Sequence, residues 1–290
     1  MLYILLCVPL YILNSFCDKY ISIENKMSVN TIYNIIKFFI GTILLLPMFL
    51  MDSFKFEWGI IGCGILCGIM YAVSKMVILS GYEKTSVAFM TLCHSSGMLL
   101  PCVLGHFLWN EKLTLLSVVG IILVIISIML LKGNSNLNEK RNIKGILIGI
   151  VVLVTSGGVM IVQKIMGIFF PQTGVDAYNF YSFACAFLLL TIFSKKGFLH
   201  CKISIKYVMC GLGSAVSLCV ISLVMTYLAS NIPSVIMFPL FNGSGIISVT
   251  LLSSVLFNEN ITVKKGCGLI IGLIGLLMIK GRNESIVSAF

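Results

Sequence analysis

The 290-residue chain is 59% hydrophobic and 10% charged, with a mean hydropathy of +1.08. Soluble domains carry roughly 25% charged residues, so this much apolar surface excludes a water-soluble fold and predicts a protein integral to a membrane. The net charge of +10 sits mostly in short turns between apolar runs, where it meets anionic headgroups and sets orientation; no basic tract with interleaved aromatics exists, which excludes nucleic acid as a partner.

An apolar run of about 20 residues crosses ~30 Å of hydrocarbon as a helix. The first run covers 1–23. It lacks a basic n-region and a small-residue cleavage site, so it reads as a retained helix rather than a signal peptide. Asp18 and Lys19 near its end are placed to snorkel to the interface. Helix two covers 31–51 and contains Lys37; helix three covers 58–80 and contains Lys75; helix four runs over 85–108, and helix five over 113–132. Residues 133–144, rich in Gly, Asn, Ser and charge, form the one linker-like segment and divide the chain near its centre. Helices six to ten follow at 145–170, 174–194, 206–229, 232–257 and 262–280, with a basic loop at 195–205 and a polar tail from 282 to 290. The eleven cysteines contain no Cys-x-x-Cys pair, and no His or carboxylate completes a metal set around Cys63 and Cys67, so they read as small buried hydrophobes.

The stretch 59–133 returns at 207–281, 148 residues later and without a gap. Asn110-Glu111-Lys112-Leu113-Thr114 matches Asn258-Glu259-Asn260-Ile261-Thr262, His94-Ser95-Ser96-Gly97 matches Asn242-Gly243-Ser244-Gly245, Gly120 matches Gly268, and Lys132-Gly133 matches Lys280-Gly281. At offset 145, Lys19 aligns with Lys164 and Tyr33-Asn34 with Tyr178-Asn179. Four motifs in one register argue for an internal duplication. The expected fold is therefore an all-α integral membrane protein of ten transmembrane helices in two five-helix repeats, 1–132 and 145–281. Five is odd, so the second repeat is expected to be inverted. Inverted repeats build secondary transporters with a substrate site near the bilayer midplane.

This plan resembles the ten-helix, EamA-type branch of the drug/metabolite transporter superfamily. The residues that carry the resemblance are the Gly81-Tyr82-Glu83-Lys84-Thr85-Ser86 turn, Glu111 and Glu259, and Gly120 and Gly268. It implies a permease at the plasma membrane with a small-molecule substrate, and leaves the substrate open among amino acids, sugar phosphates, nucleotide sugars, choline and other metabolites. Lys37 resembles a basic residue that members often carry near the start of helix two.

The densest polar cluster within the apolar runs is His94-Ser95-Ser96-Gly97 together with Asn242 and Ser244. Unpaired polar groups are costly in hydrocarbon, so these side chains are expected to face a cavity; close packing through small residues is the plainer alternative. Lys75, with Tyr71 one turn earlier on the same face, is a candidate to meet a substrate carboxylate or phosphate; interfacial anchoring competes for Lys75 and equally for Lys37. Gln163 and Lys164 read as interfacial, and Glu111 and Glu259 as structural caps. No carboxylate lies mid-helix, so a substrate with an anionic part is expected rather than a pure cation. His94 titrates near neutral pH and is the candidate for proton coupling. Rival readings are an exporter of drugs or quaternary amines, a non-transporting sensor of the same fold, and an intramembrane serine hydrolase using Ser244 and His94. The last leaves the duplication unexplained. With no Gly-x-x-x-x-Gly-Lys-Ser/Thr loop, energy is expected from an ion gradient or exchange. The expected partners are a small-molecule substrate and membrane lipid, with no cofactor and no metal, for a chain acting as a monomer or homodimer.

With ten helices, both termini share one side. That side carries four basic residues, Lys55, Lys112, Lys280 and Arg282, while the other carries thirteen. The positive-inside rule puts the thirteen in the cytoplasm and the termini outside; the resemblance implies cytoplasmic termini. The charge count predicts that, in a cysteine-free background, an impermeant thiol reagent labels Ser288→Cys in intact cells and spares Ser135→Cys. The reverse pattern would refute it.

Overall fold

The computed structural model describes residues 2–22, 27–51, 57–82, 87–111, 114–131, 143–170, 174–194, 204–256 and 263–280. The turn at Glu83-Lys84, most of the linker, the basic loop, Glu259 with its neighbours and the tail lie outside them. The described residues form eleven helices: α1 Leu2–Ser22, α2 Met27–Met51, α3 Trp58–Tyr82, α4 Val87–Ser96, α5 Leu99–Trp109, α6 Leu115–Leu131, α7 Ile143–Phe169, α8 Val175–Phe193, α9 Ile205–Leu228, α10 Ser234–Leu256 and α11 Val263–Lys280. No strand occurs among the described residues. Five spans, Val29–Met51, Trp58–Ile78, Ile143–Phe169, Val175–Phe193 and Ile205–Leu228, are long and apolar enough to cross a membrane. Large apolar side chains such as Phe107, Leu115 and Ile205 lie fully on the surface, as suits a protein solvated by lipid.

The eleventh helix comes from a break in the expected helix four. Pro101 has no N–H, and its ring clashes with the carbonyl four residues back, at Gly97. The chain therefore tightens there: Gly97 N–H bonds His94 O at 3.2 Å and Met98 N–H bonds Ser95 O at 3.4 Å, each reaching three residues back. The carbonyls loosened by the break are satisfied again, as the hydrocarbon demands. Leu100 N–H reaches Gly97 O at 3.1 Å, and the Ser156 hydroxyl of α7 donates to His94 O at 3.0 Å. Position 249, 148 residues after Pro101, is Val, and α10 runs on without interruption.

The chain divides into two compact units, and each takes helices from both sides of the linker. The first comprises Met1–Val8, Gly81–Gly157 and Ile232–Phe290. Here α6 packs on α11 through small residues: a methyl at Gly275 would lie 2.8 Å from Gly120 O, and Ser127 Oγ donates to Gly268 O at 2.6 Å. The Glu111 carboxylate closes the start of α10, accepting from Ser234 N–H at 2.8 Å and Ser234 Oγ at 3.2 Å. A carboxylate there answers unpaired N–H groups and the helix dipole. Gly105 makes room for it, since a side chain there would meet Glu111 Oε2 at 2.5 Å.

The second unit comprises Pro9–Ser80 and Gly158–Asn231. In it α2 packs against α8 and α9, around a triangle of rings: Phe38 to Phe183 at 5.4 Å, Phe38 to Tyr71 at 5.6 Å and Tyr71 to Phe183 at 6.1 Å between centroids. The helices α3 and α8 cross where Gly64 and Gly68, one turn apart, admit the backbone of Tyr178 and Ser182. Lipid tails are as apolar as the helices, so close backbone approach, not water exclusion, holds such a crossing.

A substitution pair on α3 tests this. A methyl at Gly68 would sit 2.6 Å from Ser182 O, whereas one at Gly62 meets nothing within 4 Å. Gly68→Ala is expected to destabilise the detergent-solubilised protein by about 1–3 kcal/mol, read as a lower unfolding temperature. Gly62→Ala should leave it unchanged or slightly raised. Equal responses would contradict the close crossing.

Candidate functional site

Three successive helices each carry a polar pair spaced four residues apart, hence on one face: Asn14 and Asp18 on α1, Tyr33 and Lys37 on α2, Tyr71 and Lys75 on α3. Five of these six meet in one ionic centre of the second unit. Lys37, with 0% of its surface exposed, donates to Asn14 Oδ1 at 2.6 Å and to Asp18 Oδ1 at 3.1 Å. Its ammonium also lies 5.8 Å from the Tyr33 ring centroid. Tyr33 donates its hydroxyl to Asp18 Oδ1 at 2.6 Å, and Ser214 of α9 donates to Asn14 Oδ1 at 2.6 Å. Lys75 faces the other carboxylate oxygen, Asp18 Oδ2, at 3.9 Å. That distance is an ion pair without a hydrogen bond. Among the described residues one carboxylate thus serves two ammonium groups, leaving one positive charge in excess. The side chain of Lys75 is 23% exposed and that of Asp18 is 35% exposed.

Asp18 is thus the hub of a charge network formed by three helices. Gln163 and Lys164 are buried within the protein as well. Gln163 donates to Ser222 Oγ at 3.3 Å, and the Ser222 hydroxyl donates in turn to Asn179 Oδ1. The Tyr71 hydroxyl lies within reach of Ser222, so this second, uncharged cluster starts one turn from Lys75 on the same face of α3. Tyr178 packs in the same core as Tyr71. The asparagines Asn34 and Asn179, 145 residues apart, make the same bond, each donating to the carbonyl four residues back at 2.8 Å.

The remaining expected site residues belong to the first unit. His94, Ser95 and Ser96 end α4 at the break before Pro101. Ser95 is buried, and the crossing with α7 is tight: a methyl at Gly97 would lie 2.8 Å from Gly157 N. Asn242 bonds back along α10 to Phe238 O at 3.0 Å, and Ser244 to Phe241 O at 3.1 Å. Gly243 admits Leu276 of α11, which would lie 2.9 Å from a methyl there. The structure therefore joins Lys37 to Lys75 through Asp18, with Tyr71 one turn before Lys75, while His94, Ser95, Ser96, Asn242 and Ser244 belong to the other unit. No group of His, Cys, Asp and Glu able to hold a metal occurs among the described residues.

Residues 1–132 match the EamA-like transporter family. An uncharacterized transporter of Clostridium kluyveri is 25% identical over 195 residues, a match covering 63% of this chain and 59% of that protein. A solved crystal structure aligns over 96% of both chains with a TM-score of 0.75 at 12% identity, a likeness of fold alone. The likeness is thus to membrane transporters, over less than two thirds of the Clostridium protein's own length; with the five apolar spans it indicates an integral membrane protein.

The ionic centre predicts a non-additive pattern of stability. Asp18→Asn leaves Lys37 buried without its counter-charge, which costs about 3–5 kcal/mol and lowers the unfolding temperature in detergent. Adding Lys37→Met to that variant should recover much of the loss. A double variant less stable than Asp18→Asn would show that Lys37 does not depend on Asp18.

Proposed function

We infer, for a chain whose first 132 residues match the EamA-like transporter family, that it is a secondary-active permease of the plasma membrane. It moves a small polar metabolite with an anionic or zwitterionic part by alternating access, driven by an ion gradient or by exchange. The observation that carries this reading is the excess positive charge at the ionic centre. Ionisable groups within membrane helices are costly and mark substrate or ion pathways. Lys37 is enclosed and bonded to Asn14 and Asp18, whereas Lys75 is partly exposed, so Lys75 is the cation placed to meet a substrate. A quaternary amine would meet a carboxylate already claimed by two resident ammonium groups. The duplication supports the reading, because inverted repeats and interrupted helices are the build of secondary transporters; here the interruption lies at His94–Met98. His94, at that break, is the proposed proton-coupling group.

The test is a thermal-shift screen of the purified full chain against amino acids, organic acids, sugar phosphates and quaternary amines, followed by uptake into proteoliposomes without ATP. Anionic or zwitterionic compounds should stabilise the protein, and Lys75→Ala should reduce their uptake more than Lys37→Ala reduces the uptake remaining per folded molecule. Uptake driven by an imposed pH gradient should be lost in His94→Gln. Stabilisation by quaternary amines alone would overturn the charge argument.

A further inference from the structure

In the second unit α1 and α9 cross antiparallel. Ser214 donates to Asn14 at 2.6 Å. Three residues further along α1, Cys17 Sγ lies 3.7 Å from where a methyl at Gly213 would stand, and its thiol faces the Cys210 thiol closely enough to interact. One more turn on, Ile21 and Tyr207 belong to the same buried cluster as Cys17, and Cys210 packs against it. The pairs 14/214, 17/210 and 21/207 advance by three or four residues on each helix, so each set shares one helix face. The two thiols differ in access. Cys17 is buried, whereas Cys210 is partly exposed. Cys210 also stands five residues into α9 from Ile205, about 7.5 Å along the axis, toward the helix end that a reagent in water reaches first. Next to Cys17 in the chain is Asp18, the carboxylate of the ionic centre.

We propose that Cys17 and Cys210 form a thiol-modification site, a dithiol that a small-molecule disulfide oxidises to a cross-link between α1 and α9. The Cys210 thiolate attacks one sulfur of the small disulfide. That S–S bond breaks, a mixed disulfide forms on Cys210, and one small thiolate leaves and takes up the proton that Cys210 released. Cys17 then gives up its proton and attacks the Cys210 sulfur. The mixed S–S bond breaks, and the second small thiolate leaves with that proton. Two protein thiols lose two electrons in all, and one small disulfide is reduced to two thiols; a dithiol reductant reverses both steps. The bond fixes α1, which supplies Asn14 and Asp18 to Lys37, against α9. A substrate can then no longer draw Asp18 away from Lys75, and uptake slows. That consequence rests on the transport reading above; the site itself does not.

Peptide mapping tests the site. The purified full chain is incubated with oxidised glutathione or with dithiothreitol, alkylated, and digested without reduction. A peptide pair joined through Cys17 and Cys210 should dominate the linked products of the oxidised sample, and dithiothreitol should remove it. Oxidation should also raise the unfolding temperature, because the bond closes a loop of about 190 residues and restricts the unfolded chain. Cys210→Ala, changed at the partly exposed position, should lose both responses while unfolding as the reduced wild type does; Cys17→Ala provides a second, independent control. In proteoliposomes, oxidised protein should take up the compounds that stabilise it about tenfold more slowly, as for a gate held shut, with recovery in dithiothreitol and no effect in Cys210→Ala. Cys210 linked chiefly to glutathione or to another cysteine, or an unfolding temperature indifferent to oxidation, would overturn the proposal. The linked peptide with equal uptake in both states would overturn the hold on Asp18. The linked peptide with no uptake in either state would overturn the transport reading and leave the site standing.

Discussion

A charged ammonium out of reach of water must be compensated where it stands, and Lys37 imposes that constraint on this molecule. Its side chain is fully enclosed. The idealised cost of moving such an ion into a medium of low dielectric is of order 20 kcal/mol, so the surrounding helices have to supply both a counter-charge and hydrogen-bond acceptors. α1 does so with Asp18 and Asn14. Those acceptors are themselves held by Tyr33 from α2 and Ser214 from α9. The register of α1 against α2, and of both against α9, follows from one buried charge. Lys75 is the member this arrangement leaves under-used, and for that reason it is where the structure meets function.

The rest of the second unit serves to hold these helices close. Aliphatic packing alone gives helices no reason to associate in lipid. The work falls to backbone approach at Gly64 and Gly68, to the aromatic triangle of Phe38, Tyr71 and Phe183, and to Gly41, where a methyl would lie 2.5 Å from Phe183. Tyr71 belongs both to that triangle and to the neutral polar chain, so the packing that fixes the unit also aims the α3 face that carries Lys75. In the other unit the same economy appears as the α6–α11 glycine contact and the Glu111 cap on α10, which the sequence reading had taken as structural.

The apolar runs were legible in the sequence because length and hydropathy decide whether a helix can cross a bilayer; among the described residues nine of the ten expected runs appear as single helices, five of them long and apolar enough to cross. The tenth was split by a local effect, the clash between Pro101 and Gly97, that a hydropathy reading does not weigh. Positions 18, 163 and 164 lie near helix ends, a placement that favours the interface and hides what the fold adds: Asp18 and Gln163 have partners on other helices, and Lys164 is buried. The missed signal was present: Asn14/Asp18, Tyr33/Lys37 and Tyr71/Lys75 are three pairs at a spacing of four in three consecutive runs. Each pair alone is unremarkable, and only their convergence identifies the centre. The small polar residues at 94–97 and 242–245 were visible as clusters, but the spacing could not separate a ligand surface from a helix crossing. The close approach of Gly97 to Gly157 and of Gly243 to Leu276 is the packing component that sequence left undecided.

The division of labour between the two lysines is the central claim, and lysine reactivity reads it most directly. The intact protein in detergent is treated with a small amine-reactive reagent at alkaline pH, with and without an anionic compound that stabilises the protein, and modification is quantified by mass spectrometry at each lysine. The account predicts that Lys75 is modified, that the compound protects it, and that Lys37 stays unmodified in both conditions. Modification of Lys37 at a rate comparable to Lys75, or a Lys75 rate indifferent to the compound, would contradict it.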